Sequence, residues 1–184
     1  MTAPGGTLWT IGHSTRPWPV FEAMLREAGI EVLADVRRFA GSRHNPQFSH
    51  DAMPAALATG GVEYAPFPGL GGRRRADPDS PNGAWRVEAF RAYADHMATQ
   101  EYVEARDRLM TIAQARRTCV MCAEAVWWRC HRRLIADDFT AHGWRVVHLM
   151  APGKSVVHSL NPAAVMLDGV LRYPGPSSGP SGGA

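Results

Sequence analysis

Lysine, cysteine and long apolar runs are all scarce in this sequence, and each shortage removes a class of protein. Lys154 is the only lysine among 184 residues, and 19 arginines bring the Lys+Arg total to 20. Against 17 Asp+Glu the formal charge is only +3, too little for a uniformly basic nucleic-acid coat. The arginine excess, beside plentiful Ala, Gly and Pro, fits a GC-rich coding bias. Three cysteines (Cys119, Cys122 and Cys130) are an odd number lying within twelve residues, unlike a secreted disulfide scaffold. No apolar run approaches the ~18 residues that a membrane span needs. Residues 1–6 lack the basic segment and apolar core of a signal peptide. Together these absences predict a cytoplasmic chain with reduced thiols and no membrane partner.

What is present is ordinary globular composition, 45% hydrophobic and 20% charged. The length suits one domain that needs neither metal nor disulfide merely to fold. Short apolar runs at residues 8–11, 32–36, 62–67, 118–123 and 145–150 read as buried strands, with a short extra strand at 156–160. Between them lie helix-period segments. Ser14 or Thr15 is a candidate cap for the first helix, with Pro17 in its first turn and Gly29 closing it. A short helix is expected at 51–58, two amphipathic helices at 87–97 and 102–113, another helix at 127–142, and a helical turn at 162–168. Residues 68–83 read as a loop. The alternation predicts a single three-layer α/β domain, residues 1–173, with a largely parallel β-sheet flanked by helices. Residues 174–184 read as a flexible Pro/Gly/Ser tail.

In an open parallel sheet, ligands bind beyond the carboxyl ends of the strands. The residues expected there are chemically rich. Gly12, His13 and Ser14 end the first strand, and Asp35, Val36 and Arg37 end the second. Cys122 and Glu124 end the fourth, and His148 lies on the fifth. Cys122 is a candidate nucleophile, since a thiol near a helix start and cationic groups has its thiolate favoured. Glu124 is the rival: a general base, a carboxylate nucleophile or an arginine partner. His13 and His131 are candidate proton carriers. Helix geometry sets His131 on the inward side with Ile135 and Phe139, directs Arg132 and Arg133 elsewhere, and allows Arg133 to pair with Asp137. Cys122, Cys130 and His131 form a weak zinc candidate, because C-x7-C-H matches no common finger spacing and lacks an evident fourth ligand. No cofactor is required by the sequence.

Arginine placement is more informative than arginine number. Arg37 and Arg43 follow the second strand, and Arg73, Arg74 and Arg75 follow Gly71 and Gly72. Guanidinium forks suit phosphate oxygens, and glycine lets backbone N–H groups approach an anion. Ser14, Asp35, Arg37, Arg43, Gly71, Gly72, Arg73 and Arg132 are therefore the candidate anion- or substrate-binding residues. Trp127 and Trp128 read either as a hydrophobic plug or as a stacking platform for a base.

At these residues the sequence resembles a known family. Thr10-Ile11-Gly12-His13-Ser14, Asp35-Val36-Arg37, Ser42-Arg43, Leu70-Gly71-Gly72, Phe90-Arg91-Ala92-Tyr93-Ala94-Asp95, Met121-Cys122-Ala123-Glu124 and Cys130-His131-Arg132 resemble, in order and spacing, the signatures of domain-of-unknown-function family 488. The resemblance covers about residues 8–150. It implies a compact bacterial or archaeal α/β domain, and it implies no established reaction. One departure is Ala40, where the resemblance implies proline.

The leading expectation is an enzyme acting on a phosphate-bearing substrate, a nucleotide or nucleic-acid component, with its site at the strand ends. The rivals are a non-catalytic nucleic-acid-binding module and a metal-stabilised regulatory or interaction domain. The sequence leaves the oligomeric state open.

Overall fold

A computed structural model describes residues 5–41 and 43–176. Ser42 and residues 177–184, most of the expected tail, lie outside the described residues. Six strands form one sheet: β1 (Thr7–Gly12), β2 (Val32–Asp35), β3 (Glu63–Pro66), β4 (Thr118–Cys122), β5 (Arg145–Ala151) and β6 (Lys154–Val157). Their order is β3-β2-β4-β1-β5-β6; the first five are parallel, and β6 runs antiparallel along the β5 edge. The central strands read as unbroken apolar runs because both faces are covered, as parallel sheets require.

The helices are α1 (Trp18–Glu27), α2 (Met53–Thr59), α3 (Glu88–His96), α4 (Gln100–Ala115) and α5 (Arg132–Ala141). One core packs Phe21, Met24 and Leu25 of α1 and Leu57 of α2 under Ile11, Leu33, Cys119 and Met121. The other packs Tyr93, Tyr102, Leu109 and Leu134 of α3, α4 and α5 over Leu8, Ala34, Val120 and Cys122. Side chains alternate along β4, so Cys119 and Cys122 enter opposite cores. The domain is a three-layer α/β structure. Among the described residues, no helix is long and apolar enough to cross a membrane.

Three local expectations are corrected. Pro17, not Ser14 or Thr15, occupies the cap of α1 and makes no side-chain bond. Ser14 is instead left-handed (φ 47°), and its N–H donates to the Ala123 carbonyl, so the β4 end holds it. The helix expected at 127–142 is split into a 3₁₀ turn, Trp127–Arg129, and α5, because Cys130 is extended (φ −125°, ψ 151°). The turn expected at 162–168 is a β-hairpin, β7 (Val165–Leu167) and β8 (Val170–Arg172). Asp168 and Gly169 both have positive φ there, the Asp-Gly signature of a tight hairpin.

Topology selects one place on the sheet. From β2 the chain continues outward to β3, whereas from adjacent β4 it crosses the other way to β5. Neighbouring strands with diverging connections open a crevice at their carboxyl ends, where ligands bind in such folds. Asp35 ends β2 and Cys122 ends β4 at that crevice, with Asp35 in register with Met121.

Candidate active site

The crevice is held open by a close backbone crossing. His13 N–H donates to the Cys122 carbonyl (3.0 Å) and Ser14 N–H to Ala123 (2.9 Å), extending the β1–β4 pairing past the sheet. A Cβ on Gly12 would stand only 1.7 Å from the Glu124 carbonyl oxygen, so the crossing requires glycine. Beyond it lies a cavity of about 250 Å³. Arg37, Arg38, Arg73 and Arg129 line it, together with Cys122, Glu124, Cys130, His131 and the aromatic rings of Phe90 and Tyr93.

Two thiols meet in its wall. The Cys130 Sγ donates to the Cys122 Sγ at 2.7 Å, which the extended Cys130 backbone makes possible by turning that side chain back to β4. Beneath them Arg132 is 1% exposed and has no carboxylate partner among the described residues. Its guanidinium donates to the Glu124 and Ala125 carbonyls, and its Nε is left without a partner. A buried guanidinium needs a counter-charge. Arg132 favours the ionised form of the neighbouring Cys122 thiol. Burial opposes ionisation of Cys122, but the Cys130 hydrogen bond, Arg132 and the Glu124 backbone outweigh it and hold this thiol below its ordinary pKa. Burial, reinforced by the hydrogen bond to Cys122, pushes Cys130 well above it. The pair is thus divided into one acidic and one reluctant thiol.

His131 adjoins both. Its Nε2–H donates to the Val36 carbonyl (3.2 Å), which leaves the Nδ1 lone pair facing Cys130 Sγ at 3.4 Å. Burial lowers its pKa to about 4, so the ring is neutral near pH 7. Gly72 backs this ring: a Cβ there would lie 2.9 Å from Nδ1.

Arg37 is committed to structure more than the sequence suggests. Its Nε and one terminal nitrogen grip Asp35 in a bidentate pair at 2.8 and 2.6 Å, and Tyr64 OH donates to the same carboxylate. The Arg37 Nη1 donates to His13 Nε2 (3.1 Å), and His13 Nδ1–H donates to the Ser14 carbonyl (2.8 Å). A weak contact to Met53 sulfur uses a fourth of the five N–H donors a guanidinium carries, leaving one for the cavity. Burial lowers the His13 pKa, so His13 acts as a neutral brace for Arg37. The Asp35→Asn variant breaks this buried pair and is expected to cost about 3 kcal/mol of stability, with Tyr64→Phe costing about 1. Urea unfolding measures both, and a smaller loss for Asp35→Asn than for Tyr64→Phe would contradict the arrangement.

The family described as "Domain of unknown function DUF488" matches residues 18–139, which takes in α1, the crevice, the dithiol and nearly all of α5. The chain belongs to the DUF488 family. Searches of curated proteins and of solved structures find no match.

Several expected site residues of the DUF488 domain stand outside the cavity lining: His13, Ser14, Asp35, Arg43, Gly71 and Arg132. Gly71 fits against the Arg38 backbone, where a Cβ would meet atoms at 2.7–2.8 Å. Arg43 is exposed. Arg132, expected to point away, is instead among the largest fully buried side chains. Arg133 lies over the Trp85 ring at 4.9 Å and not beside Asp137. Among the described residues no three His, Cys, Asp or Glu side chains converge as a metal site demands, Cys122, Cys130 and His131 included. Arg74 ties its own loop to Glu101 and the Gly71 carbonyl.

Sequence reasoning missed a second polar chain behind the DUF488 site. Thr10 Oγ1 meets His148 Nδ1 (2.6 Å), His148 Nε2 meets His158 Nδ1 (3.0 Å), and His158 Nε2 meets Asp137 Oδ1 (2.8 Å). Tyr173 OH donates to the other Asp137 oxygen. One set of tautomers satisfies every link, each donor pointing toward Asp137. Trp127 stacks on His148 at 4.3 Å and 4°, which occupies one face of its ring. Only the strand placement of His148 hinted at this chain; His158 and Asp137 carried no spacing signal.

Burial lowers the His148 pKa to about 3, as it lowers His131 to about 4. Both histidines regain pKa values near 6.5 when unfolded. Between about pH 6.5 and 4 the unfolded chain therefore binds more protons, and stability falls as pH falls. Urea midpoints measured from pH 7.5 to 4.5 are expected to decline below pH 6.5; a flat profile would contradict neutral, buried rings.

Proposed function

We propose that this DUF488 domain is a cysteine-dependent enzyme acting on a phosphate-bearing substrate, a nucleotide or nucleic-acid component, with Cys122 as nucleophile. The observation that carries this reading is the buried Arg132, without a carboxylate partner among the described residues, beside a Cys122 thiol in the wall of an arginine-lined cavity; we assign the Cys122 thiolate as its counter-ion. Between the two candidate nucleophiles, Cys122 has the supporting environment, while Glu124 is exposed at the rim.

Arg38, Arg73 and Arg129 reach the cavity from the β2 end, the glycine loop and the 3₁₀ turn. We assign them to the phosphate oxygens, joined by the one free N–H of Arg37. The Cys122 thiolate attacks phosphorus, and the Sγ–P bond forms as the bond to the leaving oxygen breaks. Glu124 is the group we assign to protonating that oxygen. Water then attacks phosphorus as the Glu124 carboxylate takes its proton; the Sγ–P bond breaks, and the Cys122 thiolate and the Glu124 acid are both restored. Phe90 and Tyr93 offer an apolar wall to the rest of the substrate.

The test is turnover of a panel of nucleotides and phosphate esters by the purified chain, with acid quenching and peptide mapping. The reading expects a phosphoryl adduct on Cys122. An adduct on Glu124 with Cys122 unmodified, or turnover undiminished in Cys122→Ser, would overturn it.

A further inference from the structure

We propose that Cys122 and Cys130 are a reversible dithiol–disulfide couple that reduces hydroperoxides within a single chain. The inference shares with the proposed function the assignment of Cys122 as the reactive thiol, but it needs no phosphate-bearing substrate.

Geometry carries it. The two sulfurs are 2.7 Å apart, and a disulfide needs about 2.05 Å, so closure asks for a shift of about 0.7 Å. Cys130 sits in the extended link between the 3₁₀ turn and α5, where its N–H donates to the Trp127 carbonyl (3.2 Å) and its carbonyl accepts from Arg133 N–H (3.0 Å), while its side chain faces Cys122. The partners are also exclusive. Cys119, the third thiol, is buried in the opposite core, and Cys122 and Cys130 are 1% and 5% exposed, which shields them from thiols of other chains. A hydroperoxide is small enough to enter the cavity that both thiols line.

Chemistry divides the roles as the environment divides the thiols. The lower-pKa thiol attacks and the higher-pKa thiol resolves. The Cys122 thiolate attacks the near oxygen of the hydroperoxide; an S–O bond forms, the O–O bond breaks, and hydroxide or alkoxide departs with the electron pair. That anion is neutralised by the proton Cys122 gave up on ionising. The Cys130 thiol then attacks the sulfenic sulfur of Cys122. His131 Nδ1, 3.4 Å from Cys130 Sγ, receives the thiol proton and returns it to the departing hydroxide, which leaves as water. The sulfur atoms have lost two electrons and the O–O bond has gained them. An external dithiol reverses the state by exchange. While oxidised, the site holds no nucleophile for phosphoryl transfer.

The full-length reduced chain, treated with a small excess of hydrogen peroxide and mapped without reductant, tests this. The free thiol count is expected to fall from three to one, with a Cys122–Cys130 linked peptide, and dithiothreitol is expected to restore all three. Cys130→Ser is expected to stop at a dimedone-trappable sulfenic acid on Cys122, and Cys119→Ser to behave as the parent. Loss of Cys122 thiol is expected to outpace loss of Cys119 at least about tenfold. Sulfinic acid on Cys122 with Cys130 still reduced, a link between two chains, or equal loss at Cys119 would each overturn the proposal. The readout is independent of substrate, so failure of the phosphate panel with this pattern intact removes only the transfer reading, and the converse removes only this one.

Discussion

Replacing Gly12 with alanine is expected to cost more than about 3 kcal/mol, a large part of the roughly 5–15 kcal/mol that holds a domain of this size. The reason is purely steric, since Gly12 needs no unusual backbone angle. Its added Cβ would lie 1.7 Å from the Glu124 carbonyl oxygen and 2.6 Å from the Glu124 carbonyl carbon, and backbone cannot rotate aside as a side chain can. The β1 and β4 ends would have to separate, breaking the His13–Cys122 and Ser14–Ala123 hydrogen bonds. The same separation lifts the Glu124 carbonyl from Arg132 and disturbs the counter-ion of Cys122. Urea unfolding gives the first consequence and the rate of thiol alkylation the second. A Gly12→Ala protein within about 1 kcal/mol of the parent would contradict the crossing.

Cys122→Ser is expected to lower turnover of any substrate found in the phosphate panel by at least about 10³-fold, the scale on which removing a nucleophile acts. Glu124→Gln, removing a proton carrier from the cavity rim, is expected to cost about 10²-fold. Serine is close to cysteine in size, so the fold survives, yet the hydroxyl does not ionise near neutral pH and leaves Arg132 without its counter-charge. Stability should therefore also fall in Cys122→Ser, and replacing Arg132 by Met in that background should recover part of the loss. Activity and urea midpoints together separate a chemical role from a structural one. Equal activity losses in the two variants would set aside the assignment of the nucleophile.

The strands and layers were legible because buried parallel strands announce themselves as short apolar runs between helix-period segments. Residues 118–123 and 145–150 could hardly read otherwise. Cys122 was legible as reactive from its place after a strand. Arg132 was not. Helix geometry places Ile135 and Phe139 inward, as they are, but α5 is buried on nearly every side, and Arg132, three residues before Ile135, is enclosed with them. Arg37 looked free because nothing in Asp35-Val36-Arg37 tells that the first and third residues clasp each other. The Asp137–His158–His148 chain joins residues 10 to 21 positions apart in sequence, and only tertiary packing of α5 against β5 and the following loop brings them together. Asp168-Gly169 carries a hairpin-turn signal, and the structure follows it in place of the expected helical turn.

The proposed chemistry turns on an ionised Cys122 held by Arg132. Its most direct test is the pH dependence of iodoacetamide alkylation at Cys122, followed by peptide mapping in the parent chain and in Arg132→Met. A midpoint below the ordinary thiol value of about 8.5 is expected in the parent, moving upward in Arg132→Met. A parent midpoint at or above 8.5, or one that Arg132→Met leaves unmoved, would contradict it.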